Sequence, residues 1–345
     1  MSVQICSLEP QRHTAWDAFV QDHPHGSPFH TIAWKKTIEE IFPYQAHYLV
    51  ALSGDVIVGA LPLFLVKNLI LGRVLMSTPF AVYGGVLANS DEVRAAMAEA
   101  VRALGSTLKA DRVELRNSYP EQCLGFSPVA RYVTYTGPVG PDEEAVLTSI
   151  PRKTRRIVRK SLEQPFTVRV QTEDFSAFEH LYSSNLRRLG TPAFPPKYFA
   201  ALLRNFKNSV DIREILLEGK PVAAALSFYF RDQVLPYYGA SDERYNREAP
   251  STFMYYDLMR WGGQNGFAMF DFGRSKVESA SGHFKSHWGL VERTLPYEML
   301  LLKGQLAAPN HSPTNPIYQW PIKIWRSLPL PVTRAIGPQV LKFFP

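Results

Sequence analysis

The stretch that decides the fold is FAMFDFGRSKVESASGHFKSHWG, which runs from Phe267 to Gly289. Its first six residues have the apolar composition of a buried β-strand. A Gly-Arg-Ser-Lys turn and a loop of small polar residues follow, and the stretch closes on Phe284-Lys285 and Trp288-Gly289. Sheet proteins often place their chemistry in the polar loops that follow buried strands. We therefore expect a functional site at this strand end.

The residues Phe270-Asp271-Phe272-Gly273-Arg274, followed after a spacer by Phe284-Lys285 and Gly289, resemble the end of the catalytic domain in the Fem-type aminoacyltransferases. These enzymes are relatives of the GNAT acyltransferases. The sequence is particularly similar to FemAB-like proteins associated with exosortase/PEP-CTERM and exopolysaccharide systems. The resemblance implies a transferase that forms an amide or an ester on a cell-envelope or exopolysaccharide precursor, by direct attack on an activated acyl donor.

Composition and charge set the broad class of the protein. The chain has 345 residues, enough for two domains, and its 46% hydrophobic and 20% charged residues are typical of a globular protein. The net charge of +7 favours an anionic partner, either nucleic acid, acidic lipid or a phosphorylated donor. A basic surface that serves only solubility is the alternative, and net charge alone does not decide between them.

The cysteines, the histidines and the N-terminus match no known disulfide, metal-site or signal-peptide pattern. Cys6 and Cys123 form neither a disulfide framework nor a metal motif, which fits a reducing cytoplasm. The N-terminus lacks the pattern of a signal peptide, and the apolar runs are too short to span a bilayer. The early histidines match no zinc signature, so we predict no metal site and expect these side chains in solvent: His13, His23, His25 and His30.

The order of predicted elements is similar in the two halves of the chain. A hairpin at residues 48–66 and another at 212–230 are each followed by a helix and a strand. We predict an α/β (α+β) fold of tandem GNAT-like domains, each a mixed, mostly antiparallel sheet flanked by helices, as the Fem resemblance also implies. The predicted domains are residues 1–140, residues 141–305 as the catalytic domain, and a basic aromatic tail at 306–345. The Gly- and Pro-rich residues 136–141 are the predicted connector.

A basic helix opens the second half at residues 142–164. On a helical wheel its cations fall on one arc, opposite an apolar face, and Pro151 either kinks the helix or begins a new one. Rows of guanidinium groups suit phosphates, since arginine offers paired donors. The phosphate-binding candidates are Arg152, Arg155, Arg156, Arg159 and the neighbouring Lys160. A solvated helix face is the alternative.

A donor site is predicted where residues 233–239 (strand), 240–250 (polar loop) and a helix from Ser251 follow one another. In GNAT proteins, which this order resembles, the donor's pyrophosphate rests on the amides at this helix N-terminus. The loop here lacks the glycines of the usual acetyltransferase motif, and Pro250 has no amide. That departure weakens a CoA cradle and favours a different donor. The resemblance implies aminoacyl-tRNA as the donor, with acyl-CoA as the other co-substrate. No tightly bound cofactor is predicted.

Roles follow for the individual residues. Lys285 matches the Fem-family lysine near the acyl ester and the acceptor phosphate, where a cation stabilises the developing oxyanion. Asp271 either orients the nucleophile or pairs with Arg274, and His287 is either a general base or an aromatic filler beside Trp288. Further donor contacts are predicted at Arg247, Ser251, Arg274 and Lys276, and a substrate groove at Tyr237, Tyr238, Tyr256, Phe284 and Trp288.

The last thirty residues mix aromatic and basic side chains and contain no acid. This pattern fits contact with a membrane surface, and equally a tail that packs on the domains. The sequence thus predicts a cytoplasmic protein, peripheral at the inner membrane face if the tail binds lipid. Its partners are an activated acyl donor and a saccharide or lipid-linked envelope precursor. A protein of another class, a non-catalytic RNA- or lipid-binding accessory protein that retains the fold, is the alternative.

Overall fold

The computed structural model of the chain describes residues 3–68, 70–303 and 316–345. The strands are β1 (Val3–Ser7), β2 (Gln45–Ala46), β3 (Leu49–Ser53), β4 (Val56–Leu61), β5 (Phe64–Asn68), β6 (Gly72–Ser77), β7 (Leu87–Ala88), β8 (Arg112–Leu115), β9 (Ser127–Val129), β10 (Tyr132–Pro138), β11 (Phe166–Gln171), β12 (Val210–Leu217), β13 (Lys220–Phe230), β14 (Gln233–Ser241), β15 (Met269–Asp271), β16 (Ser275–Lys276), β17 (Val291–Thr294) and β18 (Tyr297–Leu301). The helices are α1 (His13–Asp22), α2 (Ile32–Ile41), α3 (Asp91–Thr107), α4 (Glu143–Ser149), α5 (Arg152–Leu162), α6 (Ser176–Leu189), α7 (Pro196–Phe206), α8 (Pro250–Gln264), α9 (Ala280–Ser286), α10 (Pro316–Ser327) and α11 (Leu330–Leu341).

The described residues divide into two compact units. The first contains the chain up to Tyr132, the stretch that begins at Thr294, and Lys342–Pro345. The second contains Val133–Arg293 and the C-terminal helices up to Leu341. The predicted connector at residues 136–141 is in part a strand, because β10 continues through Pro138 and pairs with β15. The residues just after 293 include β18, which pairs with β8 and β9 in the first unit.

The first unit contains two sheets. One has the strand order β1-β3-β4-β7 and the other β2-β5-β6-β8-β18-β9. The predicted β3–β4 hairpin is present, but the predicted long second strand ends at Leu61, and a separate strand, β5, begins at Phe64. Helix α3 packs its buried face, which includes Val93, Met97 and Val101, into the core of this unit. Ser90 caps α3, accepting a hydrogen bond from the amide of Val93.

Two of the early histidines are buried, so the expectation that all four lie in solvent is wrong. His30 is fully buried, with Nδ1 at 2.7 Å from Oγ of Ser27 and Nε2 at 2.8 Å from the carbonyl oxygen of Gly85. His23 is also buried. A buried ring needs partners for both nitrogens, and the chain supplies them to His30 from a neighbouring turn and a distant loop.

The second unit is built on one eight-stranded sheet that positions the candidate site. Its strand order is β11-β12-β13-β14-β15-β10-β16, with β17 paired to β10. Strands β11 to β14 form long antiparallel pairs, whereas β14 and β15 run parallel and pair only at Gln233–Met269 and Val234–Phe270. Helix α8 connects these two strands and packs on β13 and β14. Beyond the two paired positions, β14 and β15 no longer form a ladder.

The C-terminal helices α10 and α11 both contact α6 within the second unit. Nε of Arg187 donates a hydrogen bond to the carbonyl oxygen of Leu328, and Arg334 forms an ion pair with Glu179. Packing on a domain, one of the two alternatives for the tail, is therefore observed for one side of these helices. None of the helices in the described ranges combines the length and apolar character needed to cross a bilayer.

Candidate active site

The loop after β15 is organised by Asp271. This carboxylate is only 4% exposed. Its Oδ1 accepts hydrogen bonds from Oγ1 of Thr134 at 2.8 Å and from the amide of Gly273 at 2.7 Å. Gly273 has a φ of +64°, a conformation that glycine adopts without steric cost. In this geometry Asp271 holds the turn in shape. Its two predicted roles, orienting the nucleophile or pairing with Arg274, stay predictions.

The ammonium group of Lys285 is directed at the same turn. Nζ donates hydrogen bonds to the carbonyl oxygens of Phe272 (2.7 Å), Gly273 (3.1 Å) and Arg274 (3.3 Å). An ammonium group has three donors, so all of them are engaged. Burial lowers the pKa of Lys285 to about 8; Asp271 opposes this shift and Arg274 reinforces it. The sequence placed this cation at an acyl oxyanion, whereas the structure directs it to the backbone of the turn.

An aromatic cluster fills the space beside the diverging strands β14 and β15. The ring of Tyr255 lies 4.9 Å from that of Phe272 and 6.0 Å from that of Trp288, measured between centroids. Its hydroxyl approaches β14 so closely that a Cβ at Gly239 would lie 2.8 Å from it. Tyr255 therefore spans from β14 to the end of β15. Any extended donor group entering the sheet here would have to displace this ring.

The predicted substrate groove is only partly at the surface. Phe284 is exposed and Tyr237 is half-buried. Tyr238 and Trp288 are buried, and Tyr256 is 1% exposed, so these three side chains belong to the core and do not line an open groove. The hydroxyl of Tyr238 lies 2.9 Å from that of Tyr198, and burial raises the pKa of Tyr238 well above its ordinary value. Aromatic residues commonly serve as core packing, and that role prevails here.

Most backbone amides around the start of α8 are already hydrogen-bonded within the protein. Helix α8 begins at Pro250, one residue before the predicted start, after Ala249 in a left-handed conformation. The amides of Thr252 and Phe253 both donate to the carbonyl oxygen of Ala249. Further back in the loop, amides donate to carbonyl oxygens in successive turns, from Tyr245 to Asp242, Asn246 to Glu243, Glu248 to Tyr245 and Ala249 to Asn246.

The side chains of the same loop add little to an anion site. Both carboxylate oxygens of Asp242 are bound by Arg244, and this contact lowers the pKa of Asp242. Arg247 is exposed and Ser251 is half-buried. A CoA pyrophosphate needs several converging amide donors, but most amides of this loop donate to carbonyl oxygens of the loop itself. The residues present therefore do not fit a CoA cradle of the usual kind.

The predicted basic helix is two helices, α4 and α5, separated at Ile150-Pro151. Of the two predicted effects of Pro151, the new helix is confirmed. Thr154, Val158 and Ser161 form the buried face of α5. The opposite face carries exposed cations, for which the described residues supply no ion-pair partner: Arg152, Lys153, Arg156, Arg159 and Lys160.

Arg155 does not belong to this row of cations. Its Nε and Nη2 donate to the carbonyl oxygen of Ile150, at 3.1 and 2.9 Å, and Nη2 also donates to that of Thr148 at 2.9 Å. These contacts satisfy carbonyl groups at the end of α4, which the break at Pro151 leaves without helical partners. The sequence assigned Arg155 to phosphate binding, but the structure uses its side chain to cap α4.

The start of α5 and the end of α9 are in direct contact. Oγ1 of Thr154 donates a hydrogen bond of 2.6 Å to the carbonyl oxygen of His287. Gly289, with a φ of +80°, packs so close to Pro151 that a Cβ would lie 2.9 Å from its Cδ. The rings of His283 and His287 lie 4.4 Å apart, edge to face. The fold thus brings the beginning of the basic row next to a pair of histidines.

Two predicted donor contacts remain, Arg274 and Lys276. Arg274 is half-buried, and Lys276 is exposed on β16.

Two residues of this site, Thr154 and His283, were not singled out from the sequence. The position of Thr154 on the inner arc of the basic helix was a signal for the first, and the i,i+4 spacing of His283 and His287 was a signal for the second.

Part of the chain matches a known family of domains. Residues 149–286 match the family model described as an acetyltransferase (GNAT) domain. No curated protein matches the sequence. The structure of FemX has a TM-score of 0.70 and 16% identity, covering 87% of this chain and 97% of FemX.

Two other solved structures are similar over most of their length. A tandem GNAT protein from the clavulanic acid biosynthesis pathway has a TM-score of 0.53 at 10% identity, covering 88% of this chain and 100% of its own. The C-terminal domain of a protein described as a lysylphosphatidylglycerol synthetase, from Agrobacterium fabrum, has a TM-score of 0.55 at 11% identity, with coverage of 85% and 92%. At such identities these likenesses establish the fold.

The fold is therefore that of the tandem GNAT proteins, as the sequence predicted. The matched segment begins at the end of α4 and ends at α9, so it contains the basic row, the loop before α8 and the turn held by Asp271 and Lys285. With a GNAT acetyltransferase domain in this position, the protein is an acyltransferase, which confirms the predicted enzyme class.

Proposed function

We propose that this protein transfers an acyl or aminoacyl group to an amine or hydroxyl of a cell-envelope or exopolysaccharide precursor, by direct attack on an activated acyl donor. The observation that carries the proposal is the row of exposed cations on α5, without acidic partners among the described residues, beside the histidine pair of α9. A row of this kind suits a ligand with successive phosphates.

The donor that fits best is an aminoacyl-tRNA. From Arg152 to Lys160 the row is about 12 Å long at ~1.5 Å per residue, which suits an extended phosphate backbone better than one pyrophosphate. Most amides of the loop before α8 are hydrogen-bonded to carbonyl oxygens of the loop itself, and Tyr255 fills the space beside β14. Both features count against acyl-CoA as the donor.

Residues around α9 supply the chemistry in this proposal. His287 is half-buried beside His283 and is the candidate to accept the proton of the attacking amine or hydroxyl. Lys285 and Asp271 act through the turn at Phe272–Arg274, whose backbone they fix. They are positioning residues in this scheme, since their hydrogen-bonding groups are engaged within the protein.

The proposed acceptor class is based on structural similarity to known proteins and on the sequence resemblance to Fem-type proteins. FemX and the lysylphosphatidylglycerol synthetase domain have folds similar to that of this chain. The resemblance to FemAB-like proteins of PEP-CTERM and exopolysaccharide systems favours a saccharide or lipid-linked precursor. We therefore propose an acceptor of that class.

Fluorescence anisotropy with labelled aminoacyl-tRNA, at two salt concentrations and with CoA and acyl-CoA as competitors, tests the donor. We expect binding that weakens as salt increases, because cations on the protein displace counterions from the phosphates. The double variant Arg156→Gln/Arg159→Gln should lower the affinity and the salt dependence, whereas CoA should not compete.

The matched control removes the same charge elsewhere in the second unit, in the double variant Lys197→Gln/Lys220→Gln, where both side chains are exposed. It should bind tRNA like the wild type. Saturable binding of acyl-CoA without any binding of tRNA would overturn the donor assignment.

A further inference from the structure

The two C-terminal helices have one face that packs on the second unit. In α10, Ile322 lies directly over Gly190, and Arg326 donates a hydrogen bond to the carbonyl oxygen of Leu189. In α11, Thr333 and Gly337 are buried, and Gly337 faces the backbone of Ala193. These contacts fix which sides of the helices face outward.

Both outward faces carry exposed apolar side chains. On α10, Trp320 is 76% exposed and Ile324 is 48% exposed, and their i,i+4 spacing places them on one face with Lys323 beside them. On α11, Val332 and Ile336 have the same spacing and are 36% and 44% exposed. Single exposed apolar residues are ordinary, but two successive helices that each expose an i,i+4 apolar pair indicate a binding surface.

The charged side chains of the two helices themselves have a single sign. From Pro316 to Pro345 the chain contains no aspartate or glutamate, and Lys323 and Arg326 supply positive charge, whereas Arg334 is paired with Glu179. Lys323 and Arg326 are exposed on α10. Apolar side chains flanked by cations suit the boundary of an anionic bilayer, where tryptophan is favoured at headgroup depth.

We propose that the outward faces of α10 and α11 dock on an anionic lipid surface. A second copy of the chain fits less well, because two such faces would bring positive charge against positive charge. RNA also fits less well, since its phosphates would lie against the apolar side chains of Ile324, Val332 and Ile336. This surface goes beyond the proposed transferase activity and does not depend on it. Its consequence for the enzyme would be access to a lipid-linked acceptor at the membrane.

Co-sedimentation of the full chain with vesicles tests the proposal. We expect the wild type to bind phosphatidylglycerol-rich vesicles and to bind pure phosphatidylcholine vesicles weakly, with a loss of binding at high salt. Lys323→Gln should weaken binding about fivefold, the effect of one basic residue near an anionic surface. Trp320→Ser/Ile324→Ser should weaken it about tenfold or more, since apolar burial is lost.

The control is Val56→Ser/Val291→Ser, which removes two valines that are 65% and 66% exposed elsewhere. It should sediment like the wild type. Equal vesicle binding by the Trp320→Ser/Ile324→Ser variant and the wild type would overturn the proposal. So would dimerisation in sedimentation-velocity runs that this variant abolishes, or a loss of its tRNA affinity. Unchanged tRNA binding with reduced vesicle binding supports the lipid surface and leaves the donor assignment to its own test.

Discussion

Thr154 and His287 are 133 residues apart in the chain, and Oγ1 of Thr154 donates a 2.6 Å hydrogen bond to the carbonyl oxygen of His287. This bond joins α5, which carries the exposed cations, to the end of α9, which carries the histidine pair. It is the contact by which the fold sets the distance between the proposed donor-binding row and the proposed proton acceptor.

Thr154→Val should loosen this connection. The valine keeps the volume but removes the hydroxyl, so we expect a loss of roughly 0.5–1.5 kcal/mol in the free energy of unfolding. Transfer activity should fall further than stability explains, because His287 would shift relative to α5. Urea denaturation and a transfer assay measure the two effects. Thr167→Val, at an exposed position of β11, is the matched control and should change neither. Normal activity and stability in Thr154→Val would contradict the proposed role of the bond.

Two neighbouring arginines should respond differently to the same substitution. Arg155→Gln removes hydrogen bonds to the carbonyl oxygens of Thr148 and Ile150, so we expect a destabilisation of roughly 1–2 kcal/mol. Arg156→Gln should change stability by less than about 0.5 kcal/mol but weaken tRNA binding. Thermal unfolding and anisotropy, applied to both variants, separate the effects. The opposite pattern would show that Arg155 contacts the ligand.

The amine of Lys285 should lose its proton at unusually low pH. Burial lowers its pKa to about 8, against about 10.4 for an ordinary lysine, so the neutral nucleophilic form appears between these values. In that range the unfolded chain binds more protons at this position than the folded chain, so this group makes folding more favourable as pH rises from about 8. Competitive labelling with an amine reagent, followed by peptide mapping, should give a midpoint near 8. Lys276, which is exposed, provides the internal comparison. A common midpoint for both would contradict the burial of Lys285.

Lys285→Met should destabilise the turn at Phe272–Arg274, since three carbonyl oxygens lose their donor. We expect a cost of roughly 1–3 kcal/mol in the free energy of unfolding. Lys285→Arg keeps a cation and several donors and should lose less. Denaturation of both variants checks this order. If Lys285→Met were as stable as the wild type while activity vanished, the lysine would act on the substrate and not on the turn.

Gly239 and Tyr255 should be coupled. Gly239→Ala places a Cβ 2.8 Å from the Tyr255 hydroxyl, and the packed ring cannot move away freely, so we expect a destabilisation of roughly 1–3 kcal/mol. In the double variant Gly239→Ala/Tyr255→Phe the clashing oxygen is absent, and part of that loss should be recovered. A double-mutant cycle by denaturation measures the coupling. Additive effects would contradict the close approach of Tyr255 to β14.

The sequence predicted the fold class and the enzyme class, and both are confirmed. The enzyme class rested on the resemblance of residues 267–289 to the Fem-type aminoacyltransferases, and the fold class rested on that resemblance together with local signals along the chain. Pro151, which was predicted either to kink the basic helix or to begin a new one, marks the start of α5. The cationic arc of α5 was also correctly predicted, except for Arg155.

Local signals determined these features because a cap, a turn and a helical face depend on residues a few positions apart. The partners of Lys285, the burial of Tyr238 and Tyr256, and the contact between Thr154 and His287 depend on segments far apart in the sequence. A lysine near a strand end has the same sequence signature whether its donors point to a substrate or to a backbone turn. Only the tertiary structure decides this, because the packing of α9 against the loop after β15 determines which acceptors lie within hydrogen-bonding distance.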